Sequence, residues 1–305
     1  MAIKSTGLLA AGLKSNFFER FVGLDAMALY RLVTTRVVSD KDVERYKWLG
    51  APPPMREWGT GRLARGMIVE SWNVANQKYE ATMEVDRDEI SDDQTGQIKI
   101  RAFELGEQAA THKDRLLSDL LINGGTNTGF DGAAYFSTTH VSGASGNQSN
   151  ALSAGATTPA SPTSAEFKAS FNKAIEAMAS LKNDVGQPAM IGTSGLVVIV
   201  PPNSWSAARE ALEAAVLNNT SNVLIGAAGV HMMPWLPGNH TSWYLCKTDA
   251  SMGPFIFQDR EPIEFNALEK DSDEEFLREK YLYGVRARYA LAYGRWQHCM
   301  RTTFA

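Results

Sequence analysis

The chain has 305 residues, of which 44% are apolar and 21% charged. These are ordinary values for a folded protein, and they exclude global disorder. The chain contains no run of 18 apolar residues, so no transmembrane helix is predicted. Its net charge of −4 is not that of a nucleic-acid-binding chain. The charge is uneven, because residues 1–66 hold 11 Lys/Arg and 6 Asp/Glu, a balance of +5, which leaves −9 for the rest.

The first 50 residues predict helices and connectors. Apolar residues recur three and four positions apart, as on one face of an amphipathic helix. They are Leu8, Leu9, Leu13, Phe17, Phe18, Phe21 and Leu24. Three prolines at 52–54 end any helix. The basic surplus favours docking on an acidic surface, while a solvated helix with extra lysines explains the charge equally well.

Residues 67–85 predict a β-hairpin. Residues 67–74 are rich in strand-forming side chains, and apolar and polar residues alternate from Tyr79 to Val85. The predicted turn is Ala75-Asn76-Gln77-Lys78. A two-stranded ribbon is marginal alone in water, so we expect it to lie on another body.

A long helix is predicted from about Thr95 to Asn123, where Asn123-Gly124-Gly125 ends it. At 1.5 Å per residue it spans roughly 43 Å. The acidic run at 86–94 precedes this helix. Residues 137–163 are dominated by small and polar side chains and predict an extended surface loop.

The following residues predict a compact α/β body. Residues 164–181 form a helix with Ser164 as its N-cap, and residues 196–200 form a strand buried on both faces. Ser204 is the predicted cap of an alanine-rich helix, and a mostly β segment with strands near 255 and 263 follows. Alternating aromatic and aliphatic residues at 281–293 predict a strand of roughly 43 Å.

No enzyme site is predicted. The five histidines are dispersed, and Gly192-Thr193-Ser194-Gly195 precedes a strand instead of following one, unlike a nucleophile elbow. The aspartates at 86–93 lack the glycine and final glutamate of a calcium loop, so a solvated connector is favoured over a cation site. Two cysteines, Cys246 and Cys299, are expected to be free cytosolic thiols. We expect no catalytic residue, metal or cofactor.

The order of these elements and several short motifs resemble the major head subunit of Mu-like tailed phages, within the Hong Kong 97-like capsid fold. The resemblance covers most of the chain. The motifs are PMREW at 54–58, VDRDEISDD at 85–93, Phe130-Asp131-Gly132 with Tyr135-Phe136 and Thr139-His140, YLYGV at 281–285 and YGRW at 293–296.

The resemblance implies an α+β fold with a defined domain organisation. Its parts are an N-terminal arm at 1–55 beneath an adjacent subunit, an extended loop at 56–90, a peripheral domain at 91–149 and 253–294, an axial domain at 150–252, and a C-terminal strand at 295–305. Interface residues expected in the loop are Trp72, Val74, Asn76, Gln77, Lys78 and Tyr79. Those expected in the arm are Phe17, Phe18, Arg20, Arg31 and Arg36. The expected peripheral-domain residues are Phe103, Leu117, Arg286 and Arg288.

The implied function is structural. Copies are expected to form pentamers and hexamers of an icosahedral head that encloses double-stranded DNA. The protein is expected to contact this DNA non-specifically and not to bind a membrane. A separate scaffolding protein, a portal and a decoration protein are expected partners. Assembly is expected in the bacterial host cytoplasm and the product in the virion. The alternatives are an encapsulin-type compartment and, less favoured, a metal-dependent hydrolase.

Overall fold

A computed structural model describes residues 6–46, 55, 57–58, 72–92, 96–190, 192–217 and 220–305. The helices in these ranges are α1 (Thr6–Asp25), α2 (Tyr30–Val33), α3 (Arg87–Asp92), α4 (Gln97–Asn123), α5 (Ser164–Ser180), α6 (Trp205–Glu213) and α7 (Asp273–Arg278). Two short 3-10 helices lie at Pro202–Ser204 and Trp296–His298.

The strands in the same ranges belong to two large sheets and two strand pairs. They are β1 (Thr34–Val38), β2 (Val43–Tyr46), β3 (Trp72–Ala75), β4 (Gln77–Asp86), β5 (Ala151–Ala154), β6 (Leu196–Val200), β7 (Val216–Leu217), β8 (Thr220–Ser221), β9 (Gly229–Met232), β10 (Ser242–Lys247), β11 (Phe255–Leu268), β12 (Lys280–Tyr293) and β13 (Cys299–Phe304). The α+β fold class expected from the sequence is confirmed.

The five-stranded sheet has the order β5-β13-β10-β6-β9. Its central strands β6 and β10 are buried along their whole length, as the apolar run at 196–200 predicts. Helices α5 and α6 belong to the same core, through Phe167, Phe171 and Leu212 among others. This body therefore has a core covered on both faces of its sheet.

The four-stranded sheet has the order β1-β11-β12-β4, with β1 parallel to β11 and the other neighbours antiparallel. Buried and half-buried residues alternate along the first ten residues of β12, so along this stretch one face of the sheet is covered and the other is not. Apolar residues of α1 and α4 pack on the covered face, with Phe17, Phe265 and Tyr283 in the shared core. The two helices approach so closely that a Cβ at Gly106 would lie 2.8 Å from the Phe17 carbonyl oxygen.

The long helix and the long strand are found close to their predicted bounds, at Gln97–Asn123 and Lys280–Tyr293. The caps differ in detail from the prediction. Thr163 caps α5 through a reciprocal capping box with Glu166, one residue before the predicted Ser164. Ser204 makes no side-chain cap on α6.

The predicted hairpin turn at 75–78 is wrong. Strand β3 pairs with β2, and β4 pairs along its ten residues with β12, so the two strands on either side of Asn76 do not pair with each other. Residues 67–71, the first part of the predicted hairpin, lie outside the described residues. Burial on the α1–α4 side and pairing with β12 hold β4 in its own subunit, which local sequence alternation does not reveal.

The segment at 137–163 also differs from the predicted surface loop. It is folded against the protein, with His140, Ser142, Ser145 and Asn150 buried. Its small polar residues hydrogen-bond one another, and Ala151–Ala154 joins the five-stranded sheet beside β13. Small side chains with many donors and acceptors therefore build an irregular but buried segment here.

Candidate functional site

The first residues of the predicted loop interface are held by their own subunit. Val74 is buried in the main core. The Asn76 amide donates to the Ser39 hydroxyl at 2.9 Å and to the Lys41 carbonyl at 2.6 Å. Gln258 donates to the Asn76 side-chain oxygen at 2.7 Å. These bonds fix the point where the chain passes from β3 to β4.

The remaining loop residues divide into anchored and exposed side chains. The Tyr79 ring lies 4.7 Å from that of Tyr289 and 4.5 Å from that of His112. Burial lowers the pKa of His112, which favours a neutral ring, and its Nδ1 shares a hydrogen bond of 2.7 Å with the Tyr289 hydroxyl. Trp72 is half-buried beside the core. Of the six predicted residues, Gln77 and Lys78 at the start of β4 are exposed.

The predicted arm packs on its own chain over the described residues 6–46. Phe17 is fully buried between α1 and the four-stranded sheet, and Phe18 is half-buried beside it. Arg20 forms an ion pair with Glu107 of α4. Strand β1 lies in the sheet beside β11. These contacts hold the described part of the segment on its own subunit, and its contact with a neighbouring subunit stays a prediction.

A buried charge cluster fastens the end of α1 to α4. The Asp25 carboxylate receives hydrogen bonds from Arg31, from the Lys113 ammonium at 2.8 Å and from the Tyr30 hydroxyl at 2.9 Å. Burial by itself raises the pKa of Asp25, but the donors from Arg31 and Lys113 outweigh it and hold that pKa below its ordinary value. Arg31, predicted as an interface residue, thus pairs with Asp25 inside its own subunit.

The uncovered face of the four-stranded sheet carries ion pairs that neutralise one another. Arg286 and Arg288, predicted as peripheral-domain residues, lie there on β12. The pairs are Arg286–Glu261 (2.7 Å), Arg288–Glu261 (3.0 Å), Arg288–Asp42 (2.8 Å) and Lys280–Glu84. Arg36 pairs with Asp259 at 2.6 Å on the other face, where their register partners Phe257 and Tyr289 lie. Arg288 and Arg286 hold the pKa of Glu261 below its usual range through hydrogen bonds and charge, Arg288 first. The uncovered face is solvated and charged but presents little net charge.

The two α4 residues predicted as peripheral have different roles. Leu117 is fully buried in the main core. Phe103 is half-buried, with the Lys99 ammonium 5.5 Å from its ring centre. Leu117 is therefore a packing residue, while Phe103 lies at the edge of the helix surface.

A buried polar cluster that the sequence reasoning did not assign joins the long loop to the C-terminal strand. His140 places Nδ1 2.6 Å from the Asp131 carboxylate and Nε2 3.0 Å from the Asn150 side-chain oxygen. Its ring stacks on Trp296 at 4.0 Å. The Asn150 amide donates to the carbonyl oxygens of Tyr135, Trp296 and Cys299. The motifs at 130–140 and 293–296 that carry the resemblance thus meet in space.

The two cysteines, far apart in sequence, face each other in the five-stranded sheet. Cys246 of β10 and Cys299 of β13 are paired in register, with their Sγ atoms 3.4 Å apart. Both thiols are free and fully buried. Burial raises the pKa of Cys299 well above its usual value, so the group stays a protonated packing residue.

Within the part of the chain that the structure describes, no group of three or more His, Cys, Asp or Glu side chains is placed to hold a metal ion, and this includes the acidic run at 86–92. No helix in those ranges is long and apolar enough to cross a membrane.

The family model of the Mu-like prophage major head subunit gpT matches residues 7–165, 161–236 and 237–303, nearly the whole chain. The chain belongs to the Mu-like major head subunit family. The members are head subunits, which are structural proteins and not enzymes. The resemblance found in the sequence is confirmed.

Two relatives in this family are similar at low identity. The chain is 25% identical over 274 residues to the major capsid protein of Escherichia phage Mu. The aligned region covers 90% of this chain and 66% of that protein. The chain is 22% identical over 290 residues to the Mu-like prophage FluMu major head subunit of Haemophilus influenzae, covering 95% and 70%. The chain therefore spans about two thirds of the length of these relatives.

Solved capsid structures share the fold. The procapsid subunit of bacteriophage JBD30 has a TM-score of 0.56 at 24% identity, over 98% of this chain and 76% of that one. The mature capsid of bacteriophage PhiM1 has a TM-score of 0.63 at 10% identity, over 91% and 87%. The Hong Kong 97-like fold expected from the sequence is therefore confirmed for the family member described here.

Proposed function

We propose that this chain is a major capsid subunit whose copies assemble into pentamers and hexamers of an icosahedral phage head enclosing double-stranded DNA. The observation that carries the proposal is the match of the head-subunit family over residues 7–303, on a fold shared with solved phage capsids. Self-association through repeated, non-identical contacts closes rings of five or six when the rotation between copies permits it.

The architecture supports this role. The five-stranded body has a complete core, whereas the four-stranded sheet leaves one face and the β4 edge uncovered within the described residues. Uncovered edges and faces are where a subunit can add partners, and obligate assemblies bury about 2,000–5,000 Å² or more. The proposed contacts of Gln77 and Lys78 with a neighbouring copy use the exposed start of that edge strand.

The charge distribution fits a container for DNA. Residues 67–305 carry a balance of −9, and the arginines of the uncovered sheet face are paired with carboxylates. A surface with few unpaired cations makes few counterion-releasing contacts with phosphate. The DNA is then held by the closed shell and by weak, non-specific contact.

The other partners and the location complete the proposal. A separate scaffolding protein, a portal and a decoration protein would act with the subunit, as the family resemblance implies. Assembly would take place in the bacterial host cytoplasm. The domain divisions at 55, 90, 149, 252 and 294 belong to the same proposal, with the C-terminal strand β13 inside the five-stranded sheet.

The alternative within this fold is a protein compartment that encloses enzymes. The virus-like particle from Pyrococcus furiosus has a TM-score of 0.55 at 9% identity, over 94% of this chain and 98% of that one. A shared shell fold does not identify what a shell encloses, and the family match favours the phage head.

Electron microscopy with sedimentation, over a concentration series and with co-expressed assembly proteins of the same phage, tests the proposal. We expect closed shells, tubes, or rings of five and six. Nuclease-treated particles from infected cells should contain protected DNA, whereas an enzyme cargo without DNA would support the compartment. A monomer that never associates, even with a crowding agent, would overturn both.

A further inference from the structure

The two cysteines form the last pair of one strand ladder. Strands β10 and β13 pair antiparallel, and their register runs from Ser242↔Thr303 to Cys246↔Cys299. The two Sγ atoms are 3.4 Å apart, and both side chains are fully buried. A disulfide has an S–S distance of about 2.05 Å, so each sulfur would need to move by about 0.7 Å to form one.

The backbone hydrogen bonds of β13 show what kind of pair the cysteines form. The Arg301 N–H donates to the Asn150 carbonyl at 2.9 Å, and the Cys299 carbonyl accepts from the Asn150 amide at 3.1 Å. Both bonds lie on the β5 side of β13, so Cys299 directs its backbone polar groups away from β10. Cys246 and Cys299 are therefore a non-hydrogen-bonded pair, in which opposite Cα atoms lie about 4.5 Å apart and the side chains are closest. Disulfides span Cα separations of about 4.4–6.8 Å, so the backbone already has the required spacing.

The position of the pair in the chain gives a bond between the cysteines a structural effect. After Cys246 the chain leaves the five-stranded sheet, forms the β11–β12 hairpin of the other sheet, and returns to the first sheet at Cys299. A disulfide would close residues 247–298 into a loop at its base. Strands β10 and β13 would then no longer separate from the end that carries the hairpin.

We propose that Cys246 and Cys299 are a redox pair, which is reduced in a reducing cytoplasm and closes into a disulfide in an oxidising medium, locking the C-terminal strand β13 to β10. Such a change of surroundings follows if subunits assemble inside a host cell and the particles then leave it, which is part of the proposed function. The bond itself does not depend on that function, because both thiols belong to one chain.

Hydrogen peroxide is a sufficient oxidant for this step. One thiolate attacks a peroxide oxygen, which breaks the O–O bond and gives a sulfenic acid and hydroxide. The second sulfur then attacks the sulfenic sulfur, forms the S–S bond and displaces the oxygen as water. Two thiols and one peroxide thus give one disulfide and two water molecules, with the sulfurs oxidised and the peroxide oxygens reduced.

Burial sets the rate of this oxidation. Burial raises the pKa of the Cys299 thiol, so the reactive thiolate forms rarely. The pair lies at the end of the β10–β13 ladder, so opening of that end exposes it while the other pairs stay formed. We therefore expect the disulfide to form more slowly than an exposed thiol reacts, and without global unfolding.

Counting thiols tests whether the bond forms. The full chain is incubated with hydrogen peroxide, the peroxide is removed with catalase, and the protein is unfolded in guanidinium that contains N-ethylmaleimide. We expect two labels per chain before oxidation, none after it, and two again when dithiothreitol precedes labelling. Digestion without reduction should give one linked peptide pair that contains Cys246 and Cys299, from a chain that migrates as a monomer in denaturing gels. Two labels after prolonged oxidation, sulfinic acids without linked peptides, or links between chains would overturn the proposal.

Thermal unfolding tests whether the bond locks the strands. The oxidised chain should unfold at a midpoint at least about 5 °C above that of the reduced chain, because a loop of this length constrains the unfolded state. Dithiothreitol should reverse the rise. Cys246→Ala is the matched control, since it keeps one thiol and cannot close, and peroxide should not raise its midpoint. An unchanged midpoint in the linked chain, or an equal rise in Cys246→Ala, would show that the pair is not a lock.

These outcomes are independent of the capsid proposal. A chain that closes the bond but never forms shells would remove the capsid proposal and leave the redox pair standing. Shells that form normally from a chain whose thiols never link would overturn the redox pair alone.

Discussion

The two large sheets of this subunit are stabilised in different ways. The five-stranded sheet has central strands β6 and β10 with every residue buried. The four-stranded sheet shares this core where β11 begins and β12 ends, and along the rest of its length one face packs on α1 and α4 while the other is lined with ion pairs. Apolar area removed from water dominates stability, so the shared core should be more stable than the end of the four-stranded sheet that packs on α1. A shell subunit built this way combines one large core with a charged sheet face that remains for partners.

Matched truncations in the two bodies test this difference most strongly. Phe171→Ala, in the core beside Trp243, should lower the free energy of unfolding by about 3–5 kcal/mol in urea titrations. Phe17 of α1 packs on Phe265, so Phe17→Ala should chiefly loosen α1 from the sheet. The amides of α1 should then lose their protection against hydrogen exchange. If Phe17→Ala lowered protection of β6 and β10 equally, the bodies would form one cooperative unit and the comparison would fail.

The buried cluster around Asn150 ties the irregular segment at 137–163 to the five-stranded body. Asn150→Ala leaves the carbonyl oxygens of Tyr135, Trp296 and Cys299 without their donor. We expect a loss of about 3 kcal/mol in the free energy of unfolding. Asn147→Ala, an exposed asparagine in the same segment, is the control and should change it by less than about 0.5 kcal/mol. Equal effects would show that the segment is held by something other than this cluster.

The buried charge cluster around Asp25 should contribute to the stability of the α1–α4 contact. Asp25→Asn leaves Lys113, 11% exposed, without its carboxylate and should cost about 2 kcal/mol at pH 7. Because the folded pKa of Asp25 lies below its unfolded value of about 3.9, the stabilisation is present above that pH and is lost as pH falls through the folded pKa. Chemical denaturation from pH 7 to pH 2 should therefore show the two proteins converging in acid. A constant difference across this range would exclude the carboxylate as the cause.

The ion pairs of the uncovered sheet face should give the smallest effect. Arg288→Ala removes contacts with Glu261 and Asp42 at a solvated site. We expect the thermal midpoint to be nearly unchanged at 0.15 M salt and slightly lowered at low salt, since solvent and ions screen such pairs. Arg45→Ala, an exposed arginine of β2, serves as the control. A large salt-independent loss would mean that this face is packed in the subunit after all.

The sequence predicted those elements whose pattern is local and long. Helix α4 and strand β12 were located within a few residues, because a 3.6-residue or two-residue period repeated many times leaves little choice. The buried strand at 196–200 was predicted correctly for the same reason. The family resemblance then connected these elements into a fold, which periodicity alone does not do.

The errors share a physical cause, which is pairing between residues distant in sequence. Strands β3 and β4 alternate as hairpin strands do, yet β3 pairs with residues 43–46 and β4 with β12. The composition at 137–163 predicted solvent exposure, whereas partners such as Trp296 bury it. His140, Asp131 and Asn150 were likewise separate in the sequence, and the motif at 130–140 was the one available signal for their proximity.

The position of Asn76 between two strands that belong to different pairings has a mechanical consequence. Tension applied to the chain before β3 passes through this one residue into β4, directed along the strand. The ladder bonds between β4 and β12 run across that direction, so ten residue pairs share the load in shear and do not separate one after another.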